Sequence, residues 1–138
     1  MIRALRDDER AWANERYRSL DFAESPADAI ALVAELAGER VGLGRLVELE
    51  PGVIELGGIW TDERARGRGI ARAIVSALVE RAGAIRLWCL PFAHLRAFYE
   101  SYGFAAAPEP WPAQVAAKLA DCAKHPSPAV VLVREAMR

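Results

Sequence analysis

Apolar residues recur along this chain in two periods, and the change between them falls near residue 62. Before it, residues 29–36, 41–49 and 53–61 are short, apolar-rich runs bounded by turn signals, which predicts three strands. Gly38-Glu39 separates the first two. Glu50-Pro51-Gly52 separates the second from the third, with Pro suited to an early turn position and Gly to a positive φ. Gly42 and Gly44 weaken the middle strand. Turns this short make the three strands an antiparallel meander. Ahead of them, residues 8–20 are helical in pattern and rich in charge. Residues 1–5 are left open between strand and coil, and Ser25-Pro26-Ala27-Asp28 is a loop.

After residue 62 the period lengthens. Ile70, Ile74 and Leu78 stack at intervals of four beside Ala71, Val75 and Ala82, while Arg72, Ser76 and Glu80 take another face. That is an amphipathic helix over 70–82, with Gly83 as its stop. Residues 84–90 read as a strand closed by Pro91, and strand, helix, strand implies a right-handed crossover to a parallel neighbour. Residues 93–102 predict a short helix ending at Gly103. Residues 111–124 predict another, with Pro112 in its first turn and Val115, Leu119 and Cys122 on one side. Residues 129–134 predict a last strand. The expected class is α+β with a mixed sheet: a meander, a parallel crossover, then helix and strand. The whole of residues 1–138 reads as one domain.

Composition narrows the function classes. An apolar fraction of 53% with balanced charge describes a folded globular chain, and a net charge of -1 excludes a general nucleic-acid binder. No apolar run is long enough to span a membrane, and the N-terminus lacks the apolar core of a signal peptide, so the cytoplasm is the expected location. Cys89 and Cys122 stand far apart in apolar settings and read as buried thiols rather than a disulfide. His94 and His125 have no Cys, His or Asp partners at ligand spacing, so no metal is expected. Ser76 has no nucleophile-elbow context and Cys89 no nearby His, which disfavours covalent catalysis.

The chemistry concentrates at the corner between the third strand and the helix, where the chain runs Arg66-Gly67-Arg68-Gly69-Ile70-Ala71. Glycines let backbone approach a ligand closely. The first free amides and the positive dipole end of the helix point back at the same corner. Arg64, Arg66 and Arg68 add positive charge. The pattern suits a phosphate, and a diphosphate best.

A second patch follows the next strand: Ala97-Phe98-Tyr99-Glu100-Ser101-Tyr102-Gly103-Phe104. With Arg66-x-x-Gly69-x-Ala71, it resembles the GNAT superfamily of acyl-CoA-dependent N-acetyltransferases, matching that family's pyrophosphate loop and its Phe-Tyr-x-x-x-Gly-Phe signature. The resemblance is close from Val53 to Phe104. It implies a three-layer α/β/α fold. It also implies acetyl-CoA as co-substrate, gripped by Arg66, Gly67, Arg68, Gly69, Ile70 and Ala71. The pantetheine arm would pair like an extra strand along Ile59, Trp60 and Thr61, with Gly57-Gly58 permitting a bulge there. Two positions depart from the family pattern. Phe92 stands where many members carry an Asn that contacts the CoA arm, and Glu63 stands where many carry Pro.

The family reaction is attack of a neutral amine on the thioester within a ternary complex. By resemblance Tyr99 is the general acid for the leaving thiolate, with Tyr102 as its neighbour and alternative. Glu55 is the local candidate for general base, directly or through a water, against the plainer reading of a solvated strand residue. The family builds its acceptor site largely from the first helices and their loop. This points to Tyr17, Asp21, Phe22 and Glu24 as contacts for a small-molecule or peptide amine. The alternative is an acyl-CoA-binding sensor or scaffold without turnover. Neither nucleic acid nor membrane is expected as a partner, and a homodimer through an exposed last strand stays open.

Overall fold

Strand β3 (Glu39–Glu50) shows most directly how the sequence sets the architecture. Its odd positions Leu43 and Arg45 face one side and its glycines 42 and 44 the other, as the two-residue period of a strand requires. In the computed structural model, which describes residues 1–136, each side is covered by a helix. Helix α1 (Arg10–Ser19) packs Ala13 and Tyr17 against Leu43 and Val33. Helix α2 (Ile70–Ala82) lies on the glycine side. A Cβ on Gly42 would come within 2.7 Å of both Ile70 and Ile74, and one on Gly44 within 2.4 Å of Ile74 Cγ2. The two glycines thus weaken strand propensity locally but let a β-branched helix face approach the sheet. Gly44→Ala tests the balance. Removing a glycine from a strand ordinarily stabilises by about 0.4–1 kcal/mol through the unfolded chain. Forcing a methyl into a packed, χ1-stiff Ile costs about 1–3 kcal/mol. The second effect wins, and the expected outcome is a lower denaturant midpoint with an unchanged m-value.

The strands hydrogen-bond in the order β1-β2-β3-β4-β5-β7-β6. The sheet comprises β1 (Ile2–Ala4), β2 (Ile30–Leu36), β3, β4 (Val53–Thr61), β5 (Leu87–Cys89), β6 (Ala105–Ala106) and β7 (Leu132–Arg134). By spatial contact the chain divides into two compact units, residues 1–47 with 58–81 and residues 48–57 with 82–138.

In the first unit β1, β2 and β3 run antiparallel, with Leu32 opposite Gly44 and Val33 opposite Leu43. The β2–β3 turn is Ala37-Gly38, one residue earlier than the sequence suggests, with φ 53° and 80° at its two central residues. Two positive φ values are what a two-residue hairpin of primed type needs. Buried Glu9 fastens the N-terminus. It accepts from both Nη atoms of Arg3, at 2.7 and 3.0 Å, and from the Arg6 amide at 3.0 Å. The Arg3 guanidinium holds the Glu9 carboxyl down to about 2, so this contribution is complete above the ordinary carboxylate range and fades as pH falls toward that value.

In the second unit β4 and β5 are parallel, with Ile54 opposite Leu87 and Glu55 opposite Trp88. Helix α4 (Ala113–Cys122) places Val115 and Leu119 on Trp88, Val131 and Val133. Pro112 is its N-cap rather than a first-turn residue. Three expectations are corrected here. The run 84–90 is a strand only over Leu87–Cys89, because Ile85 is exposed and its amide closes a turn onto Ala82. The last strand shrinks to Leu132–Arg134. It is also not an edge, because β6, a two-residue strand absent from the sequence reading, pairs along its outer side. The reason given for a homodimer through that strand therefore falls away. Between β5 and β6 the chain makes a short 3-10 turn, Ala93–Leu95, and helix α3 (Arg96–Glu100).

Candidate active site

The pyrophosphate-type loop begins with a cap. Asp62 Oδ1 accepts from the Arg64 amide at 2.9 Å and starts the turn Glu63–Ala65. The Arg64 side chain folds back on the same carboxylate through Nε and Nη2, each at 3.0 Å, and reaches Glu39 at 2.8 Å. Those bonds hold the Asp62 carboxyl down to about 2. Arg64 is thus committed to carboxylates and does not lend its charge to the loop, contrary to the sequence reading. Arg66 and Arg68 are exposed and make no ion pair among the described residues. Gly67 and Gly69 hold φ of 79° and 75°, and a Cβ on either would meet nothing within 4 Å. Glycine is therefore required here by backbone conformation, on an open surface, not by crowding. The Gly69 carbonyl accepts from the Ala73 amide at 3.0 Å and opens the ladder of α2. The amides of the first turn, Ile70 and Ala71 included, lie beyond the ladder's start. Open glycine backbone, two exposed arginines and a helix N-terminus are the elements from which an anion site is built.

Gly58, Ile59, Trp60 and Thr61 form the end of β4 in the same unit. Gly58 has φ 61° in mid-strand, and a Cβ there would lie 2.7 Å from Arg45 Nε and 2.8 Å from the Tyr17 hydroxyl. Conformation and space both demand glycine. The Tyr17 hydroxyl donates to the Gly58 carbonyl at 2.8 Å. Burial pushes that phenol up to about 12, with the Arg45 charge opposing. Ile59 turns toward Gly44 and α2, while Trp60 turns toward α1 and meets Trp12 edge-on at 6.0 Å. Phe22 stacks on Tyr17 at 6.4 Å. Of the proposed acceptor residues, Tyr17 and Phe22 thus come together, with Tyr17 beside Gly58. Exposed Asp21 takes a φ of 59°, and Glu24 pairs with Arg18 at 3.2 Å on the surface.

Glu55, Tyr99 and the residues around them belong to the other unit. Glu55 is 4% exposed, not a solvated strand residue, and its Oε1 is ion-paired with Lys118 of α4. Sequence reasoning missed Lys118. Its signal was a lone lysine between Val115 and Leu119 on the side of a helix meant for the core. Tyr99 is buried, and its ring meets Phe98 at 5.0 Å and Phe104 at 6.1 Å, both edge-on. Burial first, with the charge of Glu55 behind it, pushes its phenol well above the usual tyrosine range. Burial likewise raises the Cys89 thiol, which keeps it an inert thiol rather than a thiolate nucleophile. Tyr102 is half-buried, and its carbonyl accepts from Arg134 Nε at 3.0 Å. Phe92 stacks on His94 at 6.0 Å and meets His125 at a tilt at 4.7 Å. Aromatic packing therefore occupies the position where many family members present an amide. Among the described residues no group of three or more His, Cys, Asp or Glu is placed to hold a metal, and no helix is long and apolar enough to cross a membrane.

A mixed seven-stranded sheet, with an open two-glycine loop feeding the helix after its fourth strand, matches the fold of acyl-CoA N-acyltransferases. The sequence profile of the acetyltransferase (GNAT) family matches residues 1–104, and the chain belongs to that family of acyl-CoA-dependent N-acyltransferases. Solved structures agree on the fold. An acyl-CoA N-acyltransferase from Pseudomonas aeruginosa superposes with a TM-score of 0.71 at 18% identity, covering 97% of each chain. Rv2747 from Mycobacterium tuberculosis, solved in complex with CoA, gives 0.70 at 18% identity over 100% of this chain and 99% of that one. The ribosomal-protein-S18-alanine N-acetyltransferase from Escherichia coli gives 0.69 at 16% identity over 100% and 96%. No curated protein sequence matches the chain.

Proposed function

We propose that this acetyltransferase moves an acetyl group from acetyl-CoA to a primary amine by direct attack in a ternary complex. The observation that carries the reading is the loop 66–71, whose two positive-φ glycines stand open at the head of α2 beside Arg66 and Arg68, which make no ion pair among the described residues. The diphosphate of CoA is the ligand that loop suits, and Rv2747, which shares the fold, was solved in complex with CoA. Ile59, Trp60 and Thr61 offer the backbone for the pantetheine arm, and the distortion at Gly58 supports a free amide there to polarise the thioester carbonyl.

The lone pair of a neutral amine attacks the carbonyl carbon, the C–S bond breaks, and the products are the amide and CoA thiol. The nitrogen must lose a proton and the thiolate must gain one. Tyr99 is the donor, since its phenol stays protonated at physiological pH. Glu55 is the acceptor, through the oxygen that Lys118 does not engage or through a water. The same ion pair favours the second reading, acyl-CoA binding without turnover, because it commits one oxygen of the Glu55 carboxylate to Lys118. Thiol release from acetyl-CoA across a panel of primary amines separates the two. Release on any amine supports transfer, whereas tight acetyl-CoA binding with no release on every amine leaves the sensor.

A further inference from the structure

Among the described residues Glu9, Arg45 and Glu55 are the buried charged side chains, and two of them are explained. Glu9 has Arg3 and Glu55 has Lys118. Arg45 is 4% exposed and makes no ion pair among the described residues. Its Nη1 donates to Ser25 Oγ at 2.8 Å, and its guanidinium lies 4.0 Å from the centre of the Tyr17 ring. Its Nε and Nη2 make no hydrogen bond among the described residues, yet neither is sealed from the surface. A buried charge with one hydroxyl and one ring for company is expensive to keep.

Its surroundings say what would complete it. Arg45 Nε lies against Gly58, immediately before the stretch assigned to the pantetheine arm. Two residues along the same face of β4, about 6.5 Å further, Trp60 carries the Arg16 guanidinium 5.2 Å from its centre. Arg16 also lacks an ion pair among the described residues, and its Nε is occluded with no partner. The nearby acid that acts on it, Asp62, is already bound twice by Arg64. Two under-satisfied guanidiniums thus share one face with the backbone where the acetyl group would sit. We propose that they bind a carboxylate of the acceptor, so that the substrate is an amine that also carries a free carboxylate, such as an amino acid. The planar fork of Arg45 matches a carboxylate in two parallel hydrogen bonds, which would supply the missing counter-charge. The inference rests on the acyltransferase reading above.

The test uses the full chain and acetyl-CoA, with thiol release followed for matched primary amines that differ only in carrying a free carboxylate or its primary amide. The wild-type protein is expected to favour the acids by about tenfold or more in kcat/KM, the worth of a charge-assisted pair. Arg45→Met is expected to bring that ratio close to unity, and Arg45→Lys, which keeps the charge without the fork, to hold part of it. A wild-type ratio near unity, an unchanged ratio in Arg45→Met, or preference for a phosphate in place of the carboxylate overturns the proposal. Should Arg45→Met not fold, the wild-type ratio decides, and Arg16→Gln, expected to lower it, provides the variant. If no amine is acetylated, the transfer reading fails separately. Calorimetric titration of the acid and amide probes into the CoA-bound protein then settles the carboxylate, with tighter binding of the acid supporting it and equal affinities overturning it.

Discussion

Gly69→Glu is expected to abolish acetyl-CoA binding in a chain that still folds. The residue holds φ 75° with open space where a side chain would go, so the substitution meets no packed neighbour. Its structural cost is confined to a left-handed backbone, about 1–2 kcal/mol for a non-glycine residue. The functional cost is larger. A carboxylate at the head of α2 competes for the amides and the dipole that a phosphate would use, and it repels the diphosphate directly. Loss of several charge-assisted bonds at roughly 1.5–3 kcal/mol each lowers affinity by at least about a hundredfold. Gly52 supplies the control. It has φ 80° and equally open space, but it sits in the hairpin turn between β3 and β4. Gly52→Glu carries the same backbone strain and the same new charge, and its acetyl-CoA affinity is expected to match the wild type. Calorimetry giving equal affinities for the two variants would remove the loop from the binding site. An intermediate Gly69→Ala would separate strain from charge.

The loop was legible in the sequence because its signal is local. Two glycines before an i, i+4 apolar stack fix a corner and a helix start, and the helix ends where Gly83 takes a φ of 62°. The bounds of β4 and α2 agree with the hydrophobic pattern for the same reason: a tight turn at Pro51-Gly52 and a sharp change of period. What was not legible is long-range. β6 is Ala105-Ala106, two residues with no pattern of their own, and pairing with Leu132 and Val133 alone defines it. The Glu55–Lys118 pair joins residues 63 apart in sequence. The Arg45 site needs Tyr17 of α1, Ser25 of a loop and Gly58 of β4 at once. A local trace of it exists, since Arg45 interrupts the apolar run from Val41 to Val47 where a buried strand admits no unpaired charge. The expectation of acidic and aromatic acceptor contacts rested on residue type alone, which does not tell buried Tyr17 and half-buried Phe22 from surface Asp21 and Glu24.

Tyr99→Phe is expected to lower kcat by roughly a hundredfold or more with little change in the KM for acetyl-CoA, the range ordinarily supplied by a positioned general acid. The ring's edge-on contacts with Phe98 and Phe104 need no hydroxyl, so the variant keeps its packing. The hydroxyl makes no hydrogen bond among the described residues, so its removal breaks none. A loss of activity without a loss of stability therefore reports proton donation and not a damaged core. The pH profile adds an independent reading. Burial and the neighbouring Glu55 charge hold the phenol well above an ordinary tyrosine, so its deprotonation sets no alkaline limb through pH ~10. Any fall in wild-type kcat near pH 9–10 would have to come from another group. The parallel variant is Tyr102→Phe. A large kcat loss there, with Tyr99→Phe close to wild type, would transfer the role to the neighbouring tyrosine. Equal and small effects in both would mean that the thiolate leaves without a protein acid, as a good leaving group stabilised by solvent.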